Sequence, residues 1–122
     1  MFIDVNGAPV FAANGGRAFD PARPAAVFLH GSGMDHSVWA LQTRWFAAHG
    51  FGVLAVDLPG HGKSGGALLT TIAAMADWVA DLLDAAGVAK ALAIGHSMGA
   101  LIALETAARH PARVAGLGLV AA

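Results

Sequence analysis

Between Ala91 and Pro111 the chain reads ALAIGHSMGALIALETAARHP, and no other stretch limits its fold so tightly. A short apolar run, Ala91-Leu92-Ala93-Ile94, stops at Gly95-His96-Ser97-Met98-Gly99. Beyond it Leu101, Ile102, Leu104, Glu105 and Ala108 recur at helical spacing. The pattern predicts a strand that turns sharply into a helix with a serine at the crest, a nucleophile elbow. A serine on so sharp a turn has a strained backbone, and neighbouring segments pass close to it. Gly95 and Gly99 stand where any side chain would collide. The turn lifts Ser97 Oγ above the sheet edge. It also sets the Met98 N–H at a helix N-terminus, free to hydrogen-bond a developing negative charge.

Strand and helix signals alternate along the remainder. Met1 to Gly16 reads as two short strands: Phe2, Val5, Val10 and Phe11 are their β-type residues, Asn6-Gly7 is the hairpin turn, and Asn14-Gly15-Gly16 closes the second. Pro21 and Pro24 break the loop that follows. Ala25 to Leu29 (AAVFL) is a buried strand ending at His30-Gly31-Ser32-Gly33. A helix is expected from an N-cap at Ser37, with Val38, Leu41, Trp45 and Phe46 apolar and Gly50 past its end. Val53 to Val56 is the next buried strand, running into Asp57-Leu58-Pro59-Gly60-His61-Gly62-Lys63-Ser64. Thr70 or Thr71 caps a second helix with the apolar face Ile72, Met75, Val79, Leu82, Leu83 and Ala86, and Gly87 ends it. Asp77, Asp81 and Asp84 fall mostly off that stripe and read as a solvated face, not as metal ligands. Val114 to Val120 is the last strand.

The order is thus β-β-β-α-β-α-β-α-β, in a chain that is 57% hydrophobic and only 12% charged. The fold class that follows is α/β, a doubly wound and mostly parallel sheet with an antiparallel leading edge. A net charge of −1 without a basic cluster gives no case for a nucleic-acid or membrane partner. The absence of cysteine excludes disulfides, thiolate catalysis and Cys-ligated zinc. MFIDVNGAPV lacks a basic segment followed by an apolar one, and Gly, His, Asp or Pro interrupts every apolar run short of a membrane span. A soluble cytoplasmic protein without metal or cofactor is expected.

His30-Gly31-Ser32-Gly33 carries a second piece of chemistry. A loop leaving the C-terminal end of a strand shares the sheet edge with the elbow. Its glycines let the backbone fold so that the N–H of Ser32, or alternatively of Gly33, points toward Ser97. With the Met98 N–H it forms a two-donor site for the oxyanion of a tetrahedral intermediate.

LHGSGMDHSVW, DLPGHGKS and GHSMGALIALE, in that order and at these separations, resemble the N-terminal half of an α/β-hydrolase of the serine branch. The resemblance spans essentially the whole chain. It implies an α/β-hydrolase fold lacking the C-terminal strands and lid. It also implies that Ser97 is the nucleophile, that Ser32 and Met98 donate the oxyanion amides, and that Asp57 to Ser64 is a structural loop beside the site. His30, Gly31 and Gly33 are expected at the substrate. A serine in the elbow separates the chain from relatives with aspartate there, which resemble dehalogenases and epoxide hydrolases.

A serine hydroxyl needs a base, and the base an orienting carboxylate. In the family both follow the nucleophile. After Ser97 the chain offers only Glu105 and His110, carried out of reach along a helix that rises about 1.5 Å per residue. Upstream, His96 is expected to pack and hydrogen-bond beneath the elbow, His30 to pin the oxyanion loop and His61 to bond loop backbone. His36 and His49 read as surface or helix-end residues. The complete relatives are about twice this length, and a sheet ending at Val120 leaves an apolar edge strand.

The expectation is therefore that residues 1–122 form the N-terminal half of a single core domain. The acid/His pair then comes from a missing C-terminal half, in the same gene product or a second chain. The expected reaction is cleavage of a carboxylic ester or similar acyl bond of a small molecule through acyl-Ser97. C–C bond hydrolases, lactonases and perhydrolases share these motifs. The alternative is a non-catalytic binding module that kept the elbow and lost the base.

Overall fold

The computed structural model describes residues 1–121. Six strands, β1 (Phe2–Val5), β2 (Ala8–Ala13), β3 (Ala25–Leu29), β4 (Gly52–Val56), β5 (Ala91–His96) and β6 (Val114–Val120), form one sheet in the order β1-β2-β4-β3-β5-β6. The β1–β2 hairpin turns at Asn6 and Gly7, both at positive φ as a two-residue turn of this kind requires. β2 runs antiparallel to β1 and β4, while β4, β3, β5 and β6 are mutually parallel. This is the expected doubly wound, mostly parallel sheet with its antiparallel leading edge.

Alternate residues of the central strands enter two cores because a strand presents its side chains with period two. Val27, Leu29, Leu54, Val56, Ala91 and Ala93 pack under α2 (Ile72–Ala86) and α3 (Met98–Arg109). Ala26, Phe28, Val53 and Ala55 pack on the other face with Trp39 and with Ala47 of α1 (Ala40–Ala48). Phe28 is the hub of the second core, with ring centroids 5.2 Å from Trp39 and 5.3 Å from Phe46. Helices on both faces explain why the central strands read as unbroken apolar runs.

Two helix faces differ from expectation. A short 3₁₀ turn, His36–Trp39, precedes α1, and its cap is Asp35, whose carboxylate accepts the Ser37 N–H at 2.8 Å; Ser37 is not the N-cap. The turn sets which face of α1 points inward: Trp39, Thr43 and Ala47 are buried, and Val38, Leu41 and Trp45 are exposed. Thr43 tolerates burial because its hydroxyl donates to Trp39 O at 2.9 Å. Likewise α3 seats Gly99, Ala100, Ile102, Ala103 and Thr106 on the sheet, leaving Leu101 and Leu104 exposed. Small residues bring the helix axis close to the strands.

The α2 helix keeps its expected face, with Thr71 as N-cap (Oγ1 accepts the Ala74 N–H at 3.0 Å) and Gly87 left-handed at the end. Its aspartates lie on the expected solvated face, where they also tie α2 to its neighbours. Asp77 accepts from Arg109 and from His110, Asp81 from Asn6, and Asp84 pairs with Arg113. Arg109 above all, and then His110, hold the Asp77 carboxyl at a pKa of about 2.

Candidate active site

The parallel register sets Leu29 opposite both Val56 and Gly95. The loops that leave the C-terminal ends of β4, β3 and β5 therefore emerge side by side. They are Asp57–Ser64, His30–Met34 and the Gly95–Gly99 turn, the three segments singled out in the sequence.

At the turn, Ser97 has φ +54 and ψ −114, a conformation that L-residues avoid, and it is exposed. Its flanking glycines explain how the backbone is held there. A Cβ on Gly95 would overlap the backbone of Gly99 and Ala100. A Cβ on Gly99 would overlap the carbonyl of Leu29 and lie 2.9 Å from the carbonyl oxygen of His30. The N-terminus of α3 thus rests directly on the end of β3. Ser97 N–H is fixed by Val120 O at 2.9 Å, and Ser97 O accepts from Ala100 N–H at 3.0 Å and Leu101 N–H at 3.4 Å. Met98 N–H opens the helix with no acceptor among the described residues.

The loop after β3 is held from below. His30 is completely buried; its Nδ1–H donates to Gly31 O at 2.7 Å, and its Nε2 accepts the Leu58 N–H at 3.0 Å. The bond from Leu58 fixes the tautomer, because a backbone N–H needs an unprotonated acceptor. Burial, acting first, pushes the imidazole pKa below its usual 6.5 and keeps the ring neutral. The expectation that His30 meets substrate is corrected: both ring nitrogens are used to clamp two loops together, out of reach of any ligand. Gly31 is buried as well, its Cα side facing His96, and so it too is framework. Ser32 and Gly33 are exposed at the tip, where Met34 N–H closes a turn onto Gly31 O at 3.2 Å.

Asp57 is the hub of the third loop and is fully buried. One oxygen accepts from His36 N–H at 2.7 Å and lies 2.9 Å from His36 Nδ1, and the other accepts from Lys63 N–H at 2.9 Å. Ser64 Oγ donates to Asp57 O at 2.6 Å and accepts the Phe11 N–H at 2.9 Å, stitching the loop to β2. His36 is thus half-buried and load-sharing, not a surface residue, a partnership that spans 21 residues of sequence. Asp35, His36 and Asp57 bring possible metal-donor atoms within 4.8 Å of one another, but these atoms are already engaged in hydrogen bonds.

The other histidines are also placed. His49 ends α1, stacked on Trp45 with Nδ1 on its carbonyl, and His61 Nδ1 lies 3.2 Å from Pro59 O. His110 is tied to Asp77 at the far end of α3. His96 packs edge-on to Trp39 at 6.5 Å, but its Nδ1 is buried without the expected hydrogen bond. It also walls a cavity of about 170 Å³ beside the turn, with Trp39, Gln42 and Val120. A cavity of about 570 Å³ lies between β2 and α1, lined by Phe11, His36 and Arg44 among others and not by Ser97. Among the described residues no helix is long and apolar enough to cross a membrane.

The alpha/beta hydrolase fold family matches residues 24–122. The dihydrolipoyllysine-residue acetyltransferase component of the acetoin cleaving system of Cupriavidus necator is 39% identical over 122 residues, covering 98% of this chain and 31% of that protein. The pimeloyl-[acyl-carrier protein] methyl ester esterase of Chromobacterium violaceum is 45% identical over 98 residues, 80% of this chain and 37% of that protein. Among solved structures, a predicted CIB-like hydrolase from Thermoplasma acidophilum superposes with a TM-score of 0.87 at 29% identity, covering 98% of this chain and 60% of that one. The chain therefore spans about a third of the length of these two curated relatives. On the family match and on the sheet order and strained turn described above, the chain belongs to the α/β-hydrolase fold family.

Proposed function

We propose that this chain carries the nucleophile and the oxyanion-binding amides of a serine hydrolase acting on a carboxylic ester or similar acyl bond of a small molecule. The observation that carries the reading is the backbone of Ser97, at positive φ and held by two glycines that admit no side chain. Strain of that kind persists only where the surroundings enforce it, and it lifts the hydroxyl into the open at the head of a helix. In the reaction a base takes the Oγ proton and Oγ attacks the acyl carbon. The oxyanion forms against Met98 N–H and the N–H of Ser32 or Gly33, each donor worth roughly 3 kcal/mol in the transition state. The alcohol leaves with the proton, and water then releases the acid from acyl-Ser97.

The base and its carboxylate come, on this reading, from a segment that completes the domain. Every described histidine except His96 has a ring nitrogen committed to a loop, helix end or carboxylate. The same observation favours a second reading for the chain by itself, a binding module that retains the elbow without turnover. Hydrolysis of a p-nitrophenyl ester by the chain assembled with its completing polypeptide separates the two. The enzyme reading expects turnover that falls roughly 10⁴-fold or more in Ser97→Ala; equal turnover in both proteins would refute it.

A further inference from the structure

The groove between β2 and α1 takes its walls wholly from residues 1–44, and β4, β3 and β5 separate β2 from β6. Its shape follows from the residues on either side. Val10 and Ala12 are buried under α2, so Phe11 and Ala13 face α1. Trp39, Thr43 and Ala47 turn inward from the helix, and the flank left toward β2 carries Ala40 and, one turn on, Arg44. Alanine on both sides leaves the gap of about 570 Å³ open. A Cβ on Gly15 would overlap the Thr43 carbonyl, so the Asn14–Gly16 turn in the wall is pinned to the helix. No carboxylate lines the groove, and Arg44 does. Arg17 donates to Ala47 O, and Arg23, Arg109 and Arg113 pair with aspartates; among the described residues Arg44 alone of the arginines has no partner. Arg44 also lines an adjoining hollow of about 300 Å³, shared with Arg17 and again without a carboxylate. Asn14 adds a neutral donor: its Oδ1 accepts the Gly16 N–H at 3.0 Å, and its Nδ2 has no acceptor among the described residues. The other end of the groove is different. Asp57 and Asp35 stand there behind His36 and Ser37, about 10 Å along the helix from Arg44.

We propose that this groove is a binding site for an organic monocarboxylate with an aromatic or short aliphatic body. The carboxylate meets the Arg44 guanidinium and Asn14 Nδ2, and the body lies along Ala13 and Ala40 against the Phe11 ring. A planar carboxylate matches the parallel N–H groups of a guanidinium, and one uncommitted arginine balances one charge, which selects carboxylate over a dianionic phosphate. The reverse orientation would set the anion beside Asp35 and Asp57, so the charge complementarity also fixes which way the ligand lies. Walls already pinned by Gly15 and by the buried Thr43 receive it without rearrangement, which lowers the cost of binding. This site does not depend on the hydrolase reading, and its test uses no turnover.

The test is an NMR titration of the chain, assembled with its completing polypeptide, with 3-phenylpropionate and separately with the neutral 3-phenylpropanamide. The expected result is a saturable shift with the carboxylate at the amides of Gly15, Gly16 and Ala40 and at Arg44 Nε–H. Affinity falls roughly tenfold or more for the amide, and equally for the carboxylate in Arg44→Gln, because a charge-assisted pair is lost in each. Arg44 is exposed, so its replacement leaves the fold in place, and Arg23→Gln, outside the groove, binds as the wild type does. No saturable shift up to about 10 mM carboxylate, shifts confined to the Ser97 turn, or binding undiminished in Arg44→Gln overturns the proposal. Each of these results leaves the role of Ser97 untouched, and loss of turnover in Ser97→Ala says nothing of the groove.

Discussion

Gly99 rests its Cα against the main chain of Leu29, so closely that a methyl group on Gly99 would overlap the Leu29 carbonyl. This contact is what locks the helix after the serine to the strand that precedes the His30–Met34 loop. The obstructing atoms are backbone in the sheet centre and cannot rotate aside. Gly99→Ala is therefore expected to cost about 3 kcal/mol or more, at the upper end of overpacking effects. Chemical denaturation checks it, and a loss below that of an ordinary surface substitution would contradict the packing described.

The buried imidazole of His30 makes stability depend on pH. Its folded pKa lies below 6.5, so as the pH falls through that value the unfolded chain takes up a proton before the folded one does. The contribution is present in full above 6.5 and is lost as the pH falls from there through the folded value. A single group gives a slope of at most about 1.4 kcal/mol per pH unit. Asp77, held at about 2, begins to lose its contribution only as the pH drops below 3.8, so the two effects separate. Denaturant midpoints measured on either side of 6.5 should fall on acidification, and His30→Gln should flatten that dependence on a chain already weakened by about 2 kcal/mol.

The hub at Asp57 supplies a further expectation. Asp57→Asn keeps the shape but replaces one acceptor oxygen by a donor, facing either the N–H of Lys63 or that of His36. One buried N–H is left unsatisfied, at about 2 kcal/mol. Thermal melting measures the loss, and hydrogen exchange should show it first at Lys63 and His36, before the central strands open.

These contacts also mark what was legible in the chain. The strained turn was visible because Gly95, Ser97 and Gly99 are local in sequence and their neighbours alternate with the right periods. The order of strands and helices was visible for the same reason. What escaped notice was long in range. His36 reads as a surface or helix-end residue because its partner, Asp57, lies 21 residues on, in the loop after β4. The solvated face of α2 is legible in the chain, but the partners of its aspartates are not, because Arg109, His110 and Arg113 come from beyond the next strand. The inner face of α1 is not legible in the chain because Asp35 and Ser37 are equally good caps by type, and only the 3₁₀ turn decides between them. The role of His30 as a loop pin is legible in the chain, but that its second ring nitrogen is occupied depends on Leu58, 28 residues away.

The claim on which the rest turns is that Ser97 is the acyl acceptor. Treatment of the chain assembled with its completing polypeptide with a fluorophosphonate, followed by mass spectrometry of the digest, measures this directly. The account predicts a single phosphonylated site at Ser97, absent in Ser97→Ala. A turning-over assembly that leaves Ser97 unmodified, or carries the adduct on another residue, contradicts it.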